Sequence, residues 1–299
     1  MNRLNYEKVF KTLVEETRNY LVNHSLRAMV LGVSGGIDST VVAAICCEVN
    51  KQTNIPLIGR SLPIKNKKDE FDVSKLVGEA FCNNFDVANL YDEYKCFLSG
   101  LVWREERIDL LDDTETMHPE KSKQQTLIAN GNIQARLRMI YLYNLASIHN
   151  GLVMSTDNQT EYQLGFWTIH GDVGDFDPIQ DLWKTEVYQL AEWLKLFYYT
   201  DGDDADKAVA IGESIKLTPT DGLGISNSDL DQIGAKSYND VDRVLQTLVC
   251  PASPENDRVQ DALTVEIGPE IIDKIIKRRS NSRFKREKSP IYISRERYE

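Results

Sequence analysis

The sequence predicts an α/β protein: an open, mainly parallel sheet with helices on both faces. Three observations lead there. Short apolar, β-rich runs at 27–34, 54–64 and 84–91 are each followed by a stretch with helical spacing. A fourth apolar run begins at 152, and both it and the first run end in clusters of small polar residues. Ligands gather at the carboxyl ends of parallel strands, so two such ends point to one shared site.

The elements follow in order. Leu4, Val9, Phe10, Leu13, Val14, Tyr20 and Leu21 recur at helical intervals with charges between them, which predicts an amphipathic surface helix. "RAMVLGVS" reads as the first strand and "IDSTVVAAICCEV" as a buried helix, with Cys46 and Cys47 packed in the core. "NIPLIGRSLPI" and "KDEFDVSKLVGEAF" repeat the pair, and "NFDVANLY" with "DEYKCFLSGLVW" repeats it again. Residues 104–122 are polar and weakly periodic and read as a loop. From 123 a long helical pattern runs to Asn150-Gly151, a pair suited to a left-handed C-cap. After the strand at 152, "DLWKTEVYQLAEWLKLFYY" (181–199) is strongly amphipathic, and "SYNDVDRVLQTLV" and "PEIIDKIIKRRSNS" predict two more helices. The Gly-, Asp- and Ser-rich stretch 218–237 reads as a long loop. Loops 104–122 and 218–237 flank the predicted site with little apolar surface to hold them, so both are candidate lids.

Composition narrows the class. The 299 residues are 41% hydrophobic and 27% charged, ordinary values for a globular protein. No apolar run approaches the roughly 20 residues of a membrane span, and the N-terminus lacks a signal core, so a cytoplasmic protein away from membranes is expected. Five cysteines without a CxxC pair suit reduced thiols. A net charge of −11 opposes nonspecific nucleic-acid binding, and the basic runs at 65–70 and 277–288 read first as solvated faces.

The chemistry lies in "VLGVSGGIDSTVVAAI" (30–45). Gly35 and Gly36 let backbone approach a ligand, and the following helix offers unpaired N–H groups and a positive dipole end. Ser34, Ser39 and Thr40 add hydroxyls. That set suits phosphate, whereas Asp38 would repel it unless the carboxylate served a Mg²⁺ bridging the phosphates. The pattern is neither GxxxxGK[ST] nor GxGxxG.

SGGIDS after a strand resembles the loop of the PP-loop ATP pyrophosphatases, which cleave ATP between its α and β phosphates and transfer AMP to a substrate oxygen. "GNIQARLRMIYLY" (131–143), "STDNQTEYQLGFWTIHGDVGDFDPIQDLWKTEVYQLA" (155–191), "TPTDGLG" (218–224) and "SYNDVD" (237–242) then resemble, in order, the motifs of ammonia-dependent NAD synthetases. The resemblance implies a Rossmann-like, adenine-nucleotide α-hydrolase-like fold in a single synthetase domain over 1–299, with no glutaminase domain. It implies adenylation of the nicotinate carboxylate of deamido-NAD and displacement of AMP by ammonia, in a homodimer. Residue by residue, it implies ATP contacts from Ser34, Gly35, Gly36, Asp38, Ser39, Thr156, Lys184 and Thr220, and Mg²⁺ ligation by Asp38 and Glu161. Deamido-NAD contacts fall to Arg136, Asp175, Phe284 and Lys285, and catalytic roles to Asp172 and Lys184.

The chain departs from the family pattern at three places. Ile169 stands where most members carry a lysine, followed by His170; "GDVGD" is one residue shorter than GDGGxD; and Phe284-Lys285-Arg286 replaces HKR. Other readings stay open beside the synthetase. One is a PP-loop tRNA thiolase or GMP-synthetase-type ATPase, which the acidic composition and missing paired cysteines disfavour. Another is a nucleotide-binding regulatory protein, disfavoured by retention of Asp38, Glu161, Asp172 and Lys184 together. From the residues alone, Asp172, Asp175 and Asp177 also read as turn formers beside Gly171, Gly174 and Pro178.

Overall fold

Met29, Val30 and Leu31 are fully buried, and a strand buried on both faces needs cover on both sides. The structure, a computed structural model, describes residues 4–109, 119–200, 204–219, 229–249 and 262–287. Strands β1 (Met29–Gly32), β2 (Leu57–Ser61), β3 (Asn84–Val87) and β4 (Leu152–Val153) form one sheet in the order β3-β2-β1-β4, with every pairing parallel. Met29 pairs with Leu57 on one side and Leu152 on the other.

Alternation along β1 divides the core. Met29, Leu31 and Val33 pack with α1 (Tyr6–Asn23), α2 (Ile37–Thr53), α3 (Lys68–Phe81), α7 (Lys184–Thr200) and α8 (Ala205–Lys216). Val30, Ile58 and Val153 face the start of α4 (Tyr91–Asp109) and the long α5 (Pro119–His149). Both faces are thus covered, as the alternation of strands and helices predicts. A third cluster joins Leu164 of α6 (Gln159–Leu164) to Ile233 of α9 (Asp229–Ile233), Val244 and Leu245 of α10 (Tyr238–Val249), Leu263 of α11 (262–267) and Ile275 of α12 (Pro269–Asn281). A 3₁₀ turn, Arg283–Arg286, follows α12.

Several expectations change. Residues 104–109 continue α4 and 119–122 begin α5, so the loop and lid reading of 104–122 fails there. "REER" is made of good helix formers, and polarity does not stop a helix. Residues 110–118 lie outside the described residues. Within 218–237, Asp229–Ile233 is helical and 220–228, which include Thr220, lie outside the described residues. The fourth strand spans only two residues plus a bridge from Met154 to Phe176, after which the polar cluster folds into α6. Helix α5 ends where Asn150 adopts φ 51°, as the Asn-Gly pair suggested. Among the described residues no helix is long and apolar enough to cross a membrane.

Candidate active site

Strand order reverses between β1 and β4, which opens a crevice at their carboxyl ends. A cavity of about 940 Å³ lies there, lined by Ser34, Gly36, Asp38 and Ser39 after β1, and Thr156, Asp157 and Glu161 after β4. Asp172, Lys184, Phe284 and Lys285 also line it.

The loop after β1 is fixed by its own hydroxyls. Ser34 Oγ accepts from Gly36 N at 3.2 Å and lies 3.0 Å from Ser39 Oγ, while Thr40 Oγ1 donates to Gly36 O at 2.9 Å. Ser214 of α8 donates to Gly35 O at 2.7 Å, tying the loop to the fold. Gly36 is the N-cap of α2 and supplies no side-chain acceptor, so the helix start faces the cavity without a side-chain cap. Such an end attracts anions. Gly35 has φ +85°, and a Cβ there would lie 2.7 Å from Glu70 O and 2.8 Å from Ser74 N. Gly35→Ala is therefore expected to destabilise by about 2 kcal/mol or more, through left-handed strain and the clash with α3. Chemical denaturation checks this; an unchanged midpoint would contradict it.

One cation and two acids form the charged centre. The ammonium of Lys184, a residue only 2% exposed, donates to Asp38 Oδ2 and to Glu161 Oε1, the latter at 3.0 Å. Asn158 links the two strand ends: its Nδ2 donates to Asp38 Oδ1 at 2.9 Å, and it caps α6 by accepting from Glu161 N at 3.1 Å. Asp242 of α10 caps α7, accepting from Thr185 N at 2.9 Å and from the Thr160 hydroxyl. Lys184 N donates to Thr160 Oγ1 at 2.9 Å, which seats the start of α7 beside α6. Burial pulls the Lys184 pKa down, but Asp38 and Glu161 outweigh it and hold the group well above the ordinary lysine range.

Asp38 and Glu161 are hard oxygen donors on the cavity wall whose counter-charge is an ammonium shared by both, a donor set that fits Mg²⁺. Among the described residues no group of three or more His, Cys, Asp or Glu forms a closed metal cage. Phosphate oxygens and water would supply the remaining ligands.

Behind this centre sit further acids. Burial pushes Asp172 up to about 6, against a hydrogen bond from Thr168 N and the cations Lys285, Arg136 and Arg138. Burial likewise pushes Asp177 up to about 7, and raises Asp157 well above the usual carboxylate range, with Asp172 and Asp177 adding repulsion. A carboxylate raised in the folded state favours folding while protonated, and that contribution is lost as pH rises through the folded value. Asp172→Asn keeps the acceptor for Thr168 N without the charge. It is expected to raise the melting temperature at pH 8 by about 2–4 °C and to leave it unchanged at pH 4. Thermal unfolding at both pH values measures this.

The other expected contacts are less concentrated. Thr156 lines the cavity, and so does Phe284, which is 54% exposed. Lys285 donates to the carbonyls of Gly165, at 2.7 Å, and Trp167. Arg136 is exposed and donates to Ile169 O at 3.0 Å. Asp175 accepts from Tyr143 Oη at 3.0 Å and from Val153 N at 2.9 Å, so its carboxylate holds the sheet edge. Asp157, Asp177, Asn158 and Asp242 were not singled out as site residues from the sequence, nor was the cavity-lining Arg138, which donates to Leu62 O at 3.0 Å and Asn66 Oδ1 at 3.1 Å. Asp157 and Asn158 could have been found from their place after β4, and Asp242 from the end of "SYNDVD".

The sequence profile of the NAD synthase family matches residues 9–289. An "NH(3)-dependent NAD(+) synthetase" of Wolinella succinogenes is 30% identical over 294 residues, covering 97% of each chain. Among solved structures, an NMN synthetase from Francisella tularensis superposes with a TM-score of 0.72 at 23% identity, over 98% of this chain and 100% of that one. An NH3-dependent NAD synthetase from Campylobacter jejuni gives 0.66 at 22% identity, over 97% and 100%. At those identities the two structures speak for the fold.

Proposed function

The chain belongs to the NAD synthase family, and from that premise we propose that it is an ammonia-dependent ligase converting deamido-NAD, ATP and ammonia to NAD, AMP and pyrophosphate. The observation that carries the reading is the Asp38–Lys184–Glu161 cluster, set between two strand ends beside the uncapped start of α2.

A nicotinate carboxylate oxygen attacks the α-phosphorus of ATP, and pyrophosphate leaves. The N–H groups at the start of α2, with the hydroxyls of Ser34 and Ser39, hold the departing pyrophosphate. Lys184 offsets the charge gathering on the phosphates. Magnesium, when bound by Asp38 and Glu161, screens the phosphate oxygens. Thr156 contacts ATP from the β4 side, and Thr220 is assigned to ATP from its motif alone. Ammonia attacks the acyl carbon, AMP departs with the former carboxylate oxygen, and Asp172 takes the proton released by nitrogen.

A second reading follows from Arg136 and Asp175. Both already bond to groups of the protein itself, Arg136 through one N–H to Ile169 O and Asp175 to Tyr143 and Val153 N. A site with fewer dinucleotide contacts suits nicotinate mononucleotide, giving NMN. Incubation with ATP, Mg²⁺ and ammonium, offering each acid in turn, separates the two. NAD from deamido-NAD at the higher kcat/KM supports the first reading, and NMN at the higher kcat/KM replaces it with the second. Glutamine in place of ammonium is expected to give no product.

The homodimer also belongs to this reading. Along α5, Ile140 and Ile148 are 67% and 66% exposed, an apolar strip suited to a second copy. The double variant Ile140→Glu, Ile148→Glu is expected to shift the mass in light scattering from dimer to monomer. A dimeric variant would rule that strip out as the interface.

A further inference from the structure

Arg278, Arg279 and Arg286, in the basic run 277–288, have no role in the reaction above, yet their side chains turn inward onto α6. Helix α6 has six residues, too few to hold itself. Its N-terminal turn carries Glu161, and its cap Asn158 reaches Asp38, so any tilt of α6 moves both proposed metal ligands relative to each other. Its C-terminal end, closed by the left-handed Gly165, leaves carbonyls that need donors.

Those donors come from α12 and the turn after it. Arg278 Nε donates to Leu164 O at 3.0 Å, Arg279 Nε to Gln163 Oε1 at 2.8 Å, and Arg286 Nη1 to Gln163 O at 2.6 Å. Arg286 Nη2 also donates to Arg279 O at 2.6 Å, so one guanidinium ties α6 to the end of α12. Cations at a helix C-terminus are favoured by its dipole as well. Leu164, fully buried in the third cluster, anchors α6 by apolar contact. Apolar contact has no direction, whereas a planar guanidinium fixes the orientation of the carbonyls it meets.

We propose that Arg278, Arg279 and Arg286 are positioning residues that orient Glu161 for the divalent cation by clamping the C-terminal end of α6. The inference rests on the reading of Glu161 as a metal ligand. Partners that orient a ligating side chain are worth about 10–100-fold in metal affinity.

The test compares the full chain with Arg286→Ala, Arg279→Gln, Arg286→Lys, Glu161→Gln and, as a control on an exposed side chain, Lys277→Ala. Mn²⁺ binding in the presence of a non-hydrolysable ATP analogue is measured by calorimetry, and amide hydrogen exchange is read over 158–167. Arg286→Ala is expected to weaken Mn²⁺ about tenfold and to speed exchange within 158–167. Arg279→Gln, which removes one bond and serves if Arg286→Ala does not fold, is expected to act in the same direction. Arg286→Lys should recover part of the loss, and Lys277→Ala should change nothing. Unchanged Mn²⁺ affinity in folded Arg286→Ala and Arg279→Gln, or in Glu161→Gln, overturns the proposal. So does a loss of exchange protection spread evenly over the chain. None of these readouts needs turnover, so a wild-type protein that binds Mn²⁺ without forming NAD would defeat the functional reading and leave this one standing.

Discussion

Asp38→Asn is expected to lower turnover by about 10²–10³-fold while the protein stays folded. The side chain keeps an oxygen for Asn158 Nδ2, which lies 2.9 Å from Oδ1, so the bridge between the strand ends survives. What goes is the charge that faces Lys184. The variant loses one of the two carboxylates proposed to hold the cation and leaves Lys184 paired with Glu161 alone. Steady-state kinetics beside ATP binding checks this. Weakened turnover with ATP binding retained is the expected pattern, and turnover within a factor of about two would remove Asp38 from the chemistry.

Lys184→Met is expected to have the larger effect on stability. The ammonium is almost fully buried and joins two carboxylates whose side chains are themselves only 15% and 17% exposed. Removing it leaves two like charges facing each other in a partly closed site, and breaking a buried pair costs about 3–5 kcal/mol. The melting temperature should fall in metal-free buffer and recover in part when millimolar Mg²⁺ supplies the missing positive charge. Turnover should drop by about 10²–10³-fold, because nothing then balances the phosphate charge from that side. A melting temperature unaffected by Mg²⁺ in the variant would show that the two carboxylates do not share a cation.

Much of this arrangement was legible in the residues. The strand-loop-helix at 30–45 places Ser34 to Ser39 correctly because each local preference there agrees: an apolar strand, glycines at the turn, then a helix of small and apolar residues. Lys184 and Glu161 come from separate motifs, and only the fold sets both beside Asp38. What was not legible has physical causes. Helix α8 starts with an Asp204 cap and buries Ala208 and Ile211, but its run is short and contains Gly212. Helix α6 is too short for periodicity to register, so 152–165 read as one strand and its polar end. The acids Asp157, Asp172 and Asp177 look alike in sequence, and it is their burial around the cavity, with carboxylate repulsion added at Asp157 and Asp177, that raises their pKa values. The inward turn of Arg278, Arg279 and Arg286 was hidden for the opposite reason, since a charged run ordinarily faces water.

Transfer of AMP to a carboxylate oxygen before nitrogen arrives, as proposed, leaves an isotopic trace in the AMP. Deamido-NAD carrying ¹⁸O in both nicotinate carboxylate oxygens is turned over with ATP, Mg²⁺ and ammonium, and the AMP is analysed by mass spectrometry. One ¹⁸O in each AMP and none in pyrophosphate is the expected result. Unlabelled AMP, or label in pyrophosphate, would contradict it.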